Sequence, residues 1–326
     1  MSEILIRPYE LGDETKITDL FLQCSYHKRT THFWHWINRK GPFGESIVFV
    51  GEIDGEIIGT YAVMPVQLTL DNTEYKSGFA LQLAFHPDYR GYRNTLTLTR
   101  MVLDECKKSG MDFIYGFPND TAFPLHIKAM GWEHLCDFRC MEIYLKDIAF
   151  DSNIDKGINV ERVHSFSRDI DDIHLKSSIN HKNKLHIQRN QSYLNWRFID
   201  HPIEHYIVFV SKIKEKTSGY IVLKIYHQDN LIYGHLVDFL TNKDNEEEIF
   251  QALLHHAIKF FKHSKVDIIS TWSAKENPYF YFFDRIGFKA SGFNTHFVLK
   301  PIINGLNSSH LNFDNWYLSM ADTDAF

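Results

Sequence analysis

The chain has 326 residues, 44% hydrophobic and 23% charged, with a net charge of −6. That length suits two domains of roughly 100–200 residues each, and the composition excludes a disordered or fibrous chain. The acidic balance argues against a general nucleic-acid grip, which needs a basic stripe. The longest apolar runs, such as Ile47-Val48-Phe49-Val50, fall far short of the roughly 18 residues of a membrane helix. The opening MSEILIRPYE has no basic segment followed by an apolar one, so no secretory leader is expected and the reading is cytoplasmic. Cys24, Cys106, Cys136 and Cys140 form no C-x-x-C pair. Buried, reduced thiols and no metal site are expected.

In chain order, residues 3–8 alternate like a short strand. Residues 12–24 start acidic and space Ile17, Leu20 and Phe21 as one helix face. Residues 31–38 predict a short aromatic helix. Two strands then flank Asp54-Gly55, the dipeptide favoured in type I′ hairpin turns. A strand over 78–85 runs into a turn and a helix over 94–109. A strand over 111–116, a short helix over 120–130 and strand-like text to about Lys146 follow.

The second half repeats the first. Ile47-Val48-Phe49-Val50 recurs 160 residues later as Ile207-Val208-Phe209-Val210, and at the same offset Trp36 meets Trp196 and Gly59 meets Gly219. Gly131-Trp132 finds its counterpart in Gly287-Phe288. Such self-similarity predicts a duplicated domain: one domain over 1–150, a polar linker over 151–159, a second domain over 160–300, and an apolar C-terminal segment, 301–326, that packs back. The element order predicts a mixed α/β fold, each half a mainly antiparallel twisted sheet flanked by helices.

The chemistry concentrates at His86-Pro87-Asp88-Tyr89-Arg90-Gly91-Tyr92-Arg93-Asn94-Thr95, where an apolar strand turns into a helix. Free N–H groups at a helix start, with two arginines beside them, suit a pyrophosphate. The equivalent segment of the second half, Thr241-Asn242-Lys243-Asp244-Asn245 followed by Glu246, Glu247 and Glu248, lacks Arg-Gly and repels phosphate.

These residues resemble the GNAT superfamily of acyl-CoA-dependent N-acyltransferases, which marks its coenzyme turn with Arg-Gly-x-Gly-x-Gly/Ala. His86 to Gly91 match, while Arg93 and Thr95 stand where glycines are usual. Asn119 after the next strand and Gly131-Trp132 after the following helix agree in order. The resemblance implies a tandem GNAT chain with a degenerate second domain. It implies acetyl-CoA as co-substrate, bound by Leu83, Ala84, Phe85, Arg90, Gly91, Tyr92, Arg93, Asn94, Thr95 and Asn119, with the thioester carbonyl held on the strand around Leu83 to Phe85. The expected function is N-acetyl transfer to the primary amine of a small acceptor: an amino sugar, an amino acid or a peptide. Neither a nucleic acid nor a membrane is an expected partner.

The superfamily's usual catalysts are absent. Gln82 stands at the place of its carboxylate base and Ile127 at the place of its tyrosine acid. His126 and Asp238 are the candidate substitutes, with Asp322 and Asp324 as candidate holders of a cationic acceptor. Loss of both usual groups also fits a non-catalytic binding or assembly protein of the same fold.

Overall fold

The computed structural model describes residues 4–24, 29–70, 73–148, 157–177, 179, 184–275, 277–303 and 312–326. Strand β1 spans Leu5–Pro8, β2 Ile47–Ile53, β3 Glu56–Leu70, β4 Thr73–Phe85, β5 Phe113–Gly116 and β6 Glu133–Tyr144. In the second half β7 spans Ile158–Val163, β8 His186–Ile187, β9 Tyr206–Ile213, β10 Lys216–Gln228, β11 Leu231–Thr241, β12 Ile268–Trp272 and β13 Lys289–Pro301. The main helices are α1 Asp13–Gln23, α2 Thr31–Arg39, α3 Tyr92–Lys108, α4 Phe123–Lys128, α5 Ile170–Lys176, α6 Gln191–Leu194, α7 Glu246–His263 and α8 Phe280–Ile286. Of the expected linker, residues 151–156 lie outside the described residues, and Ile158 already belongs to β7.

Local chemistry accounts for several boundaries. Asp54 and Gly55 both have positive φ, 50° and 83°, as a type I′ turn requires. The Thr30 hydroxyl accepts from the Phe33 amide and starts α2. Ile17, Leu20 and Phe21 form the buried face of α1. Strand β4 begins five residues before the expected start, because Thr73 to Ser77 pair with β3.

The strands form one sheet in the order β1-β2-β3-β4-β5-β13-β6-β12-β11-β10-β9-β7, with β8 on β3. Pairing is antiparallel except for β4–β5 and β11–β12. The order reads the same from both ends once the halves are matched, with one twist. Strand β13 of the second half lies between β5 and β6, and β6 of the first half lies against β12. Each chain segment therefore lends its last strand to the other's sheet. The repeat tryptophans meet at the middle: Trp36 and Trp196 stack at 4.6 Å and 14°. Each donates its Nε1–H to the other's backbone carbonyl, at 3.1 and 3.2 Å. This reciprocity is the signature of an approximate twofold axis.

Gly78 sits where β3, β4 and β5 are packed tightest. A Cβ there would lie 2.3 Å from Val63 Cγ1 and 3.1 Å from Met111 Sδ. Gly78→Ala is expected to cost about 1–3 kcal/mol through overpacking, read as a lower urea midpoint with an unchanged m-value. An unchanged midpoint would show that the β4–β5 junction yields freely.

Candidate functional site

Strands β4 and β5 pair in parallel only over Ser77–Phe79 and Phe113–Tyr115, and then part. The opening is a cleft of about 320 Å³, lined by Leu81, Gln82 and Leu83 on one side and by Gly116, Phe117 and Pro118 on the other. Asn119 and His126 line it further along. A bulge in β4 shapes this wall: the register with β3 shifts between Thr60 and Ala62, and Gln82 takes φ +60°, an uncommon conformation for a residue other than glycine. Bulges re-aim backbone and side chains beside functional sites. The Asn38 Nδ2 donates to Gln82 Oε1 at 3.2 Å, while the buried Gln82 Nε2 has no partner among the described residues.

At the C-terminal end of β4 the His86 Nδ1 accepts from the Asp88 amide at 3.3 Å. The Arg90 Nε donates to the Phe85 carbonyl at 3.2 Å. The expected pyrophosphate residues follow on the surface. Arg90, Gly91, Tyr92 and Arg93 are exposed, Asn94 is half-buried, and Thr95 is buried, with its hydroxyl on the Gly91 carbonyl. Gly91 precedes α3 and offers no capping side chain, so the first amides of α3 stay open to an anion. A Cβ at Gly91 would meet nothing within 4 Å, and its φ of −179° is ordinary extended backbone. The fold does not itself require glycine there.

The remaining sequence-predicted residues divide. Leu83 lines the cleft, whereas the side chains of Ala84 and Phe85 are buried in the core, with the Phe85 ring packed over Gly59. Asn119 uses its Oδ1 to accept from the Ala122 amide at 2.9 Å, in the turn that precedes α4. His126 is buried, lines the cleft, and donates from Nδ1 to the Ala122 carbonyl at 2.9 Å. A carbonyl can only accept, so the proton sits on Nδ1 and Nε2 carries the lone pair. Burial pushes its pKa below the usual histidine value. Ile127 packs into the apolar cluster under α3.

Asp238 proves to be something other than an accessible base. It is wholly buried, and the Arg189 Nε donates to both of its carboxylate oxygens at 3.1 and 3.0 Å. The Tyr220 and Ser319 hydroxyls also donate to it, each at 2.7 Å. Asp322 is likewise buried, with both oxygens 3.0 Å from Arg189 Nη2, so it holds a side chain of this chain rather than an acceptor amine. Asp324 lies at the cleft and pairs with Arg29 at 3.0 Å.

These contacts show what the C-terminal segment does. Strands β11 and β12 part beyond Leu236 and Thr271, as β4 and β5 do. Here the gap is filled. The Tyr317 hydroxyl donates to the Phe239 carbonyl at 2.8 Å, and the Asn277 Nδ2 donates to the Leu318 carbonyl at 3.3 Å. Trp316, Tyr317, Met320 and Ala321 are buried. The second half lacks the Arg-Gly turn, and among the described residues this strand parting is filled rather than open.

A second cavity, about 450 Å³, adjoins the first. Phe117, Pro118, Asn119 and Ala325 border both. Its walls carry Glu142, His235, Tyr226, Tyr233 and Trp272. Burial raises the Glu142 pKa, and burial beside Lys224 lowers that of His235 to about 4. Sequence reasoning missed this cavity because its walls come from β6, β10, β11, β12 and β13, which the strand exchange brings together. It also missed Arg189, although two buried carboxylates call for a buried cation. Of the four cysteines, all free, only Cys106 is buried and the others are half-buried. No described helix is long and apolar enough to cross a membrane.

Residues 5–135 match the family model of the acetyltransferase (GNAT) domain. Among solved structures, a probable N-acyltransferase from Enterococcus faecalis V583 superposes with a TM-score of 0.71 at 14% identity, covering 93% of this chain and 73% of that one. A tandem GNAT protein from the clavulanic acid biosynthesis pathway gives 0.64 at 11% identity, covering 93% and 100%. N-myristoyltransferase from Saccharomyces cerevisiae, with bound myristoyl-CoA, gives 0.61 at 12% identity, covering 92% and 79%. At such identities the likeness is one of fold. A search of curated protein sequences returned no match.

Proposed function

We propose that the chain is a tandem member of the GNAT superfamily and that it transfers an acetyl group from acetyl-CoA to the primary amine of a small acceptor. The observation that carries this reading is the cleft between β4 and β5. It is the only one of the two equivalent strand partings, among the described residues, that is open and leads from an Arg-Gly helix start. In this reading residues 1–150 hold the coenzyme. Residues 160–300 and the C-terminal segment, 301–326, wall the acceptor side. The pyrophosphate lies on the first turn of α3 with Arg90 and Arg93. The thioester lies along Leu81 to Leu83, beyond the last β4–β5 pair, Phe79 with Tyr115, where a backbone N–H of β4 can hold a carbonyl oxygen.

The acceptor enters from the second cavity, which meets the cleft at Phe117 to Asn119. Its aromatic walls and the Glu142 carboxylate suit an amine on an apolar or cyclic body. His126 Nε2 takes the amine proton, and holding both reactants in one closed groove supplies much of the rate. A reducing cytoplasm suits the four free thiols.

Turnover of acetyl-CoA against a panel of amino sugars, amino acids and peptides, read as thiol release, tests the reaction. Coenzyme A binding without release on any amine would favour the non-catalytic reading. Calorimetry tests the site, with one coenzyme A per chain expected. Arg90→Ala and Arg93→Glu should each weaken coenzyme A by tenfold or more, since a hydrogen bond to a charged group is worth about 1.5–3 kcal/mol. Unchanged affinity in both would remove the pyrophosphate assignment.

A further inference from the structure

His134 and Asp137 are three residues apart on β6, a spacing that puts side chains on opposite faces of a regular strand. The pairing of β6 with β13 changes register between Phe297 and Val298, whose partners are Cys136 and His134. Leu135 is thus the extra residue of a bulge, and that bulge returns both side chains to one face. The cross-strand partner of Asp137 is His296. The His134 Nε2 lies 2.8 Å and the His296 Nδ1 2.6 Å from the same oxygen, Asp137 Oδ1. All three donor atoms fall within 4.8 Å of one another. The other nitrogen of His296, Nε2, is 2.9 Å from Asp120 Oδ1, and the Phe123 ring stacks on the imidazole at 4.1 Å and 17°.

We propose that His134, Asp137 and His296 bind one divalent cation of the zinc class, clamping the two exchanged strands at the rim of the coenzyme cleft. Two imidazoles and a carboxylate suit zinc-like ions rather than magnesium or calcium, which prefer all-oxygen sets. A tetrahedral ion with bonds of about 2.0–2.1 Å needs donors about 3.3 Å apart. The two nitrogen–oxygen gaps, 2.8 and 2.6 Å, must open by about 0.5 and 0.7 Å to reach that spacing, a side-chain adjustment at this partly exposed position. The fourth place is left to water. Asp120 supplies what a metal-binding histidine usually has, a carboxylate on its far nitrogen that fixes ring and tautomer. The clamp reaches the cleft directly: Asp120 follows Asn119, and Phe123 begins α4, which carries His126.

Metal-stripped full-length chain, without a histidine tag, is titrated with Co²⁺ and then Zn²⁺. The expected result is one Co²⁺ per chain, with the strong visible absorption of a four-coordinate ion, displaced by one Zn²⁺. His134→Ala and His296→Ala should each lower that affinity at least tenfold. Asp120→Asn should lower it about tenfold. Circular dichroism should stay unchanged. Should a histidine variant fail to fold, Asp137→Asn removes the ligand charge while keeping the side-chain shape, and the same loss is expected. Absence of a stoichiometric Co²⁺ band in the parent overturns the proposal, as does equal Co²⁺ binding by the parent and these variants.

Discussion

Arg189→Met is expected to destabilise the protein by about 3–5 kcal/mol, the cost of leaving buried charges without their partner. Arg189 is wholly buried and joins two carboxylates that are wholly buried themselves, Asp238 through Nε and Asp322 through Nη2. Its Nη1 donates to the Ile187 carbonyl at 3.2 Å, and its guanidinium lies 4.9 Å from the Tyr317 ring centre. Removing the arginine leaves two buried carboxylates without their cation. Burial foremost, with Asp238 beside it, already raises the Asp322 pKa against the pull of Arg189. Without that pull the variant should take up protons on folding. Its stability should therefore rise as pH falls from 7 toward 5, since the native state then binds more protons than the unfolded one. Urea denaturation at several pH values reads both effects. Adding Asp238→Asn and Asp322→Asn should recover part of the loss by removing the stranded charges. A loss under about 1 kcal/mol at pH 7 would mean that the carboxylates reach solvent by another route.

His126→Gln is expected to lower kcat by about 10²–10⁴-fold, the usual contribution of a positioned proton acceptor, with little change in coenzyme A affinity. The Nδ1–H is committed to the Ala122 carbonyl, so the lone pair of Nε2 is the one basic position on the ring. Burial lowers the pKa, so the ring is neutral at pH 7 and ready to accept. A base must be unprotonated, so the parent's kcat should show an acid limb centred below the pH at which an ordinary histidine titrates. The variant should lose that acid limb. Retention of both the rate and the limb would assign the proton to water or to Glu142 across the second cavity.

Some of this was legible in the residues alone. The Asp54-Gly55 hairpin, the apolar face of α1, and the Arg-Gly turn into α3 are local features, set by turn chemistry and periodicity within a few residues. The duplication was legible as well, because Trp36 and Trp196 or Gly59 and Gly219 keep one offset. What the offset does not reveal is that the two tryptophans touch. Nor does it reveal that β6 and β13 change places. An exchanged strand has the same alternation and the same apolar face as one that stays at home, so nothing in its own sequence records which edge it will cover. Asp238 illustrates the limit at a single residue. On the strand equivalent to β4, a lone aspartate reads as a base. Its neutralising arginine is 49 residues away and the second carboxylate is 84 away, and only burial in one core brings the three together. The sequence by itself determined the elements, the repeat and the Arg-Gly turn. The tertiary structure decided which of the two clefts stays open, because the C-terminal segment buries its aromatic residues in one of them and leaves the other unfilled.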